Sequence, residues 1–400
     1  MATLFKDVYI LDGSREKSER VHVLISKGRI SEIISADKNP PSADKIISGR
    51  GKMAVLPGFV NAHTHAAMIL LRGLGEEAPL MEWLQNKIWP VEEKLTPEYI
   101  YWGTLSAILE MLATGTTCFA DMYFEMDRVA EAVLNTGMRA ALCRGITQGE
   151  PGKIEKSLEN NLELAKKYHG REGLLTVQLG PHAPYTVPVE SMKLISSAAK
   201  NNGLGVHFHF METEGEKNSI ADQKNYLEQT GLIDVPRLTL AHSVYLDPEI
   251  NLNFENISLV HCPGSNLKLG SGVMPLNSWL ERGVSVALGT DGASSNNKLD
   301  IWDEMRLTAL IHKGVNKNPV IVSALDVLRM ATYEGAKAFG FSQKGMLREG
   351  WVADLVLIDL DKPHYIGFND ENLATYIIYA GSSGDILGTM INGRWIYLRG

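Results

Sequence analysis

Along the middle of the chain, apolar segments recur eight times, each closing in polar or turn residues and most separated from the next by an amphipathic helical stretch. The segments run Ala54 to His65, Thr116 to Tyr123, Met138 to Ile146, Leu175 to His182, Gly205 to Glu212, Leu238 to Tyr245, Ile257 to Pro263 and Val284 to Asp291. That rhythm predicts an α/β fold, a (β/α)8 TIM-type barrel. One intervening helix, Pro97 to Thr114, shows its own punctuation: Thr-Pro opens it and Gly115 stops it. The two ends of the chain read differently. Residues up to about Gly51 alternate apolar and polar, as in Val21-His22-Val23-Leu24-Ile25 before a Lys27-Gly28 turn. The tail repeats the style from Ala353 to Ile358 and from Met390 to Trp395. These segments predict a small β-sandwich domain composed of both termini, residues 1–53 and 346–400, with the barrel, 54–345, inserted between. Neither an internal repeat beyond the barrel rhythm nor a low-complexity tract interrupts this reading.

Composition narrows the partners. The 400 residues are 44% hydrophobic and 22% charged, an ordinary globular profile with enough apolar material for a large core. A formal charge of −8 disfavours binding to nucleic acid or to an anionic membrane surface, since both recruit clustered Lys and Arg. No apolar run reaches the length of a membrane span, and the Lys6-Asp7 pair falls where a signal peptide would continue its apolar stretch. A cytoplasmic protein acting on a small molecule is the expectation. Cys118, Cys143 and Cys262 make no CxxC pattern and no even set, which predicts three buried small apolar residues and no disulfide or thiolate zinc site.

Polar residues collect where the predicted strands end: His63 and His65, Arg144, His182, His207, His209 and Glu212, His242, His261 and Asp291. In a barrel of this kind those ends form the active face, so residues far apart in sequence converge on one pocket. In Pro57-Gly58-Phe59-Val60-Asn61-Ala62-His63-Thr64-His65 the two histidines are spaced i and i+2, which points both imidazoles the same way. His63, His65 and His209 offer neutral nitrogens and Asp291 an oxygen. That mixed set suits a divalent ion, zinc first and iron second, with room for a water, and is the signature of a catalytic metal centre. His207 shares the spacing of His209 and also faces inward, with packing as its alternative role. For His261 a place in the pocket wall and a place in the core both stand open.

Six ordered motifs, PGFVNAHTH, GPHAPY, VHFHFMET, AHSV, PGSNLKLGSG and LGTDGASSNN, resemble those of the amidohydrolase superfamily, and within it the 5-methylthioadenosine/S-adenosylhomocysteine deaminases. The resemblance runs the length of the chain. It implies hydrolysis of the 6-amino group of adenosine derivatives to give inosine derivatives and ammonia. It also implies one metal held by His63, His65, His209 and Asp291, with Asp291 taking a proton from the attacking water. Glu212 would donate a proton to the ring nitrogen beside the carbon under attack, and His242 would orient the nucleophile, a division of acid and base work between carboxylates. The binuclear branch of the superfamily bridges two metals with a lysine at its fourth strand; between Leu174 and Tyr185 there is none, and His182 is left to contact substrate.

For the substrate the resemblance implies Trp83 beside the nucleoside, Glu92 on the ribose hydroxyls, His182 and the catalytic pair Glu212 and Asp291 on the base, and Arg144 on the amino-acid end of S-adenosylhomocysteine. An arginine expected as a second carboxylate clamp is replaced by Ser157, with Lys153 and Lys156 nearby. Because the wider superfamily shares much of the pattern, adenosine, 5'-deoxyadenosine, guanine, cytosine and triazines stand as alternative substrates. A homo-oligomer is left open. A polynucleotide deaminase is disfavoured by the missing H-x-E and P-C-x-x-C pair.

Overall fold

A computed structural model describes residues 2–75, 77–147 and 153–400. Eight parallel strands form the barrel: β6 (Phe59–Thr64), β7 (Thr116–Tyr123), β8 (Arg139–Ile146), β9 (Leu175–Pro181), β10 (Gly205–Phe210), β11 (Leu238–His242), β12 (Ile257–His261) and β13 (Ser285–Leu288), paired in chain order. The ring is completed where Asp291 N donates to His63 O at 2.9 Å. Runs such as Thr116–Tyr123 are buried at every position, as strands covered on both faces must be. The helix after β6 spans Pro97–Ala113; Thr96 accepts from Tyr99 N, Pro97 supplies a pre-set φ, and Gly115 takes φ +88° where an added Cβ would meet the Phe59 ring at 3.0 Å.

The termini form a second sheet with its own core of Phe5, Val8, Val23, Val55, Leu355 and Met390 among others. Its order is β16 (Arg394–Leu398), β15 (Ile386–Ile391), β14 (Leu355–Asp359), β5 (Met53–Pro57), β1 (Thr3–Ile10), β2 (Glu19–Ser26) and β3 (Arg29–Ser35), and β4 (Lys45–Ser48) lies parallel to the first half of β1. One expectation changes here. The run from Ala54 to His65 is not one strand: β5 pairs with β1 and β14, and the chain turns at Gly58 into the barrel. Gly58 N donates to Asp354 O, and a Cβ at Gly58 would fall 2.2 Å from the Thr117 side chain. Only glycine lets the two sheets approach this closely.

A buried ionic knot ties the two sheets together at the barrel end opposite the site. Asp354 receives Arg139 Nε at 2.5 Å and Lys344 Nζ at 3.0 Å, and Lys344 also donates to Thr117 Oγ1 at 2.6 Å. Both cations hold the Asp354 carboxyl down at about 2 against the burial that would raise it. Among the described residues, no helix is long and apolar enough to cross a membrane.

Candidate metal and proton-transfer site

The C-terminal ends of the barrel strands bring His63, His65, His209, His242 and Asp291 together. Nε2 of His65 lies 3.3 Å from Asp291 Oδ1 and 3.3 Å from His209 Nε2, and Nε2 of His63 lies 3.7 Å from the same carboxylate oxygen. Hydrogen bonding on the far side of two rings fixes which nitrogen is bare. His65 Nδ1 meets Met122 O at 2.6 Å and His209 Nδ1 meets His182 O at 2.7 Å. A carbonyl only accepts, so each Nδ1 carries the proton and each Nε2 presents a lone pair to the site. His63 Nε2 is buried without a hydrogen-bond partner. Bare nitrogens converging on a carboxylate are the arrangement a borderline divalent ion fits. Burial first, then the neighbouring rings, holds His63 and His209 far below the usual histidine range, so both stay neutral as ligands must.

The backbone is strained around the mouth. Met211, His242, Ser243 and Asp291 all take positive φ, between 49° and 71°. For non-glycine residues this costs on the order of 1–3 kcal/mol each and gathers at functional sites. The strain aims the side chains off the strand ends. Asp291 Oδ2 accepts from Ser265 Oγ at 2.6 Å and from Ser295 Oγ at 2.8 Å, and Oδ1 accepts from Gly292 N at 2.7 Å. Burial alone would raise this carboxyl; the His65 and His242 rings and the two hydroxyls outweigh it and hold Asp291 below the ordinary value, hence ionised.

Glu212 is the opposite case. Its carboxyl lies 3.7 Å from His242 Nε2 and 3.5 Å from Ser271 Oγ, and burial followed by the charge on Asp291 raises its pKa to about 8. Two carboxyls in one pocket, one ionised and one protonated near neutrality, can accept and donate protons in the same cycle. His242 Nδ1 receives Asn266 Nδ2 at 2.9 Å, which leaves its Nε2–H facing the site.

The remaining residues singled out in the sequence fall as follows. His182 stands against His209 with ring centroids 4.8 Å apart, its Nδ1 on Thr186 Oγ1, and burial lowers its pKa to about 4. Trp83 is buried with Nε1 donating to Leu74 O at 3.2 Å. Glu92 accepts from Tyr123 OH at 2.6 Å, beneath a ring 6.3 Å from His65. Arg144 projects from β8 to Glu125, Nη2 to Oε1 3.3 Å. Lys153, Lys156 and Ser157 open the helix Lys153–Tyr168, where Lys156 pairs with Glu159 on the exposed face and Ser157 is half-buried. His261 is a core residue: its Nε2 meets His312 Nε2 at 3.0 Å between β12 and the helix Ile301–Asn316. His207 lies directly under His63.

Sequence reasoning missed the supports. Ser265, Asn266 and Ser295 sat inside quoted motifs, where a hydroxyl or amide beside a ligand could have been suspected. Glu216 was invisible. In the sequence it is an acidic residue in the first turn of a short helix, Glu214–Ser219, yet its carboxylate folds back to accept from Met211 N at 2.8 Å and Glu212 N at 3.1 Å.

A barrel with a His/His/His/Asp cluster at its mouth and a second domain made from both termini defines a class of hydrolase. The profile of the Amidohydrolase family matches residues 54–396, and the chain belongs to that family. A 5-methylthioadenosine/S-adenosylhomocysteine deaminase of Dictyoglomus thermophilum is 44% identical over 369 residues, covering 90% of this chain and 85% of that protein. One of Pelotomaculum thermopropionicum is 45% identical over 357 residues, 87% and 81% of the two chains. Among solved structures, an adenosine deaminase from Xanthomonas campestris with bound zinc superposes with a TM-score of 0.91 at 34% identity, over 98% of this chain and 92% of that one. Family and donor set together support a divalent metal at this place.

Proposed function

We propose that the chain is a metal-dependent aminohydrolase that converts 5'-modified adenosines, 5'-methylthioadenosine and S-adenosylhomocysteine, to the inosine derivatives and ammonia. The observation that carries the reading is a buried carboxyl, Glu212, raised to about 8 beside a histidine cluster in which His63 and His209 are held neutral and whose own carboxylate, Asp291, stays ionised. Relatives named for this deamination at 40–45% identity over most of the chain support the substrate class.

His63, His65, His209 and Asp291 would hold the ion, zinc ahead of iron. When bound, it lowers the pKa of water so that a nucleophile is available near neutral pH. Asp291 accepts the proton of the attacking water, and His242, donating from Nε2, orients the water oxygen. As that oxygen bonds to C6 of the purine, the C6–N1 π pair moves to N1, which takes the proton of Glu212. Asp291 returns its proton to the amino group; the C6–N bond breaks, ammonia leaves, and the C6 hydroxyl gives its remaining proton to the freed Asp291 carboxylate and becomes the carbonyl, after which Asp291 releases that proton to solvent. Glu212, now a carboxylate, is reprotonated in the folded protein up to about pH 8. Trp83 and Glu92 are assigned to the nucleoside, Glu92 accepting from ribose hydroxyls, with His182 beside the base and Arg144 turning from Glu125 to the carboxylate of S-adenosylhomocysteine. The enzyme works in the cytoplasm on a free nucleoside, without nucleic acid or membrane.

The test is ammonia release from a panel of adenosine, 5'-methylthioadenosine, S-adenosylhomocysteine, 5'-deoxyadenosine, guanine and cytosine. The two named thioether nucleosides should give the highest kcat/KM. Preferential turnover of guanine or cytosine would move the chain to another branch of the family.

A further inference from the structure

Two side chains inside the barrel, Cys143 and His207, are used by nothing above, and they stand in line with the metal-site residue His63. Cys143 on β8, His207 on β10 and His63 on β6 are all buried; Cys143 Sγ lies 3.7 Å from His207 Nδ1, and His207 Nε2 lies 3.0 Å from His63 Nδ1. On the other side of the His63 ring, Nε2 is buried, faces the site and has no partner.

The contact between His207 and His63 holds one hydrogen, and its position decides what the site can bind. If the hydrogen sits on His207 Nε2, then His63 accepts at Nδ1 and carries its own hydrogen on Nε2, pointing an N–H at the metal position. If it sits on His63 Nδ1, then Nε2 is bare, His207 accepts at Nε2, and the single His207 ring hydrogen lies on Nδ1, facing the Cys143 sulfur, a weak acceptor. His65 and His209 need no such selector, because their Nδ1 atoms meet carbonyls. A ring nitrogen, unlike a carbonyl, can donate or accept, and the Cys143 thiol beyond His207 can also do either, so the tautomer of the pair is coupled to what the bare side of His63 binds.

We propose that His207 is a positioning residue for the metal: in its Nδ1–H form, with that N–H on the Cys143 sulfur, it takes the proton of His63 Nδ1 into a hydrogen bond and so presents the His63 Nε2 lone pair to the ion. The proposal rests on the metal reading of the site. It also accounts for a second inward histidine on β10, which pure packing would fill with an apolar residue, since an acceptor at that depth is otherwise uncompensated.

The experiment reads zinc affinity and tautomer, not turnover. In the zinc-loaded wild type carrying isotope-labelled histidine, long-range proton–nitrogen spectra should show both His63 and His207 as Nδ1–H forms. Zinc Kd, measured by competition with a chromophoric chelator, should weaken about 10- to 100-fold in His207→Leu, the usual loss when a ligand's outer partner is removed. His207→Gln, whose amide oxygen can occupy the Nε2 position, should bind zinc closer to wild type than to His207→Leu, which a space-filling role would not predict. An Nε2–H form of His207, or equal zinc affinity in wild type and His207→Leu, would overturn the relay while leaving the metal site standing. Failure of the wild type to bind zinc would remove both. Should His207→Leu fail to fold, the spectra of the wild type decide alone.

Discussion

Replacing Glu212 by glutamine keeps side-chain volume and a hydrogen-bonding terminus but removes the proton that the ring nitrogen needs. Two magnitudes follow from its setting. Loss of a general acid slows the chemical step by roughly 10²- to 10⁴-fold, so kcat of zinc-loaded Glu212→Gln should fall in that range with metal content near that of wild type. The second magnitude is a stability effect with a definite sign. The Glu212 carboxyl titrates at about 8 in the folded chain against an ordinary 4.5, so between those values the folded state holds a proton that the unfolded state has lost. Stability therefore declines as pH rises through this window, by about 1.4 kcal/mol per unit, or about 3 kcal/mol by pH 7. Glutamine does not titrate, so metal-free Glu212→Gln should gain on wild type as pH rises from 5 to 7 in paired urea unfolding curves. In wild type the rate should fall as pH climbs through about 8. Near wild-type turnover in Glu212→Gln would remove it from the chemistry, and parallel unfolding curves at the two pH values would refute the buried, protonated carboxyl.

Other perturbations separate site from scaffold. Asp354→Asn leaves Arg139 and Lys344 buried without their anion and should destabilise by about 3–5 kcal/mol in urea unfolding. In wild type the stability that Asp354 contributes, with its carboxyl held at about 2, is present above its ordinary 3.8 and lost as pH falls toward 2, so acid unfolding followed by circular dichroism should shift to higher pH in variants of Arg139. Glu216→Ala frees the buried Met211 N and Glu212 N, and with two hydrogen bonds worth about 0.5–1.5 kcal/mol each at risk, kcat should drop about tenfold with a smaller change in KM. Arg144→Ala should lower kcat/KM for S-adenosylhomocysteine by about 10- to 150-fold and for 5'-methylthioadenosine far less, since only the former offers a carboxylate; equal losses would assign Arg144 to its Glu125 contact alone.

Local rules were enough for much of the molecule. Strand and helix rhythm announced the barrel because parallel strands covered on both faces are continuous apolar runs, and the i, i+2 spacing of His63 and His65 fixed their common direction before any contact was known. Even the ends of helices were legible where Thr96, Pro97 and Gly115 stood at their caps. What only the tertiary structure decided involves partners far apart in sequence. The break at Gly58 depends on Thr117 and Asp354, so periodicity alone ran β5 and β6 together. His207 on β10 and His261 on β12 are both buried histidines of barrel strands, yet one supports His63 and the other pairs with His312, because a histidine's role is set by what meets its two nitrogens. The protonation contrast between Glu212 and Asp291 likewise has no local signature. Burial acts on both carboxyls; the His65 and His242 rings and the Ser265 hydroxyl, brought in by other strands, join the nearby Ser295 hydroxyl in keeping Asp291 ionised, while Glu212 is left its proton.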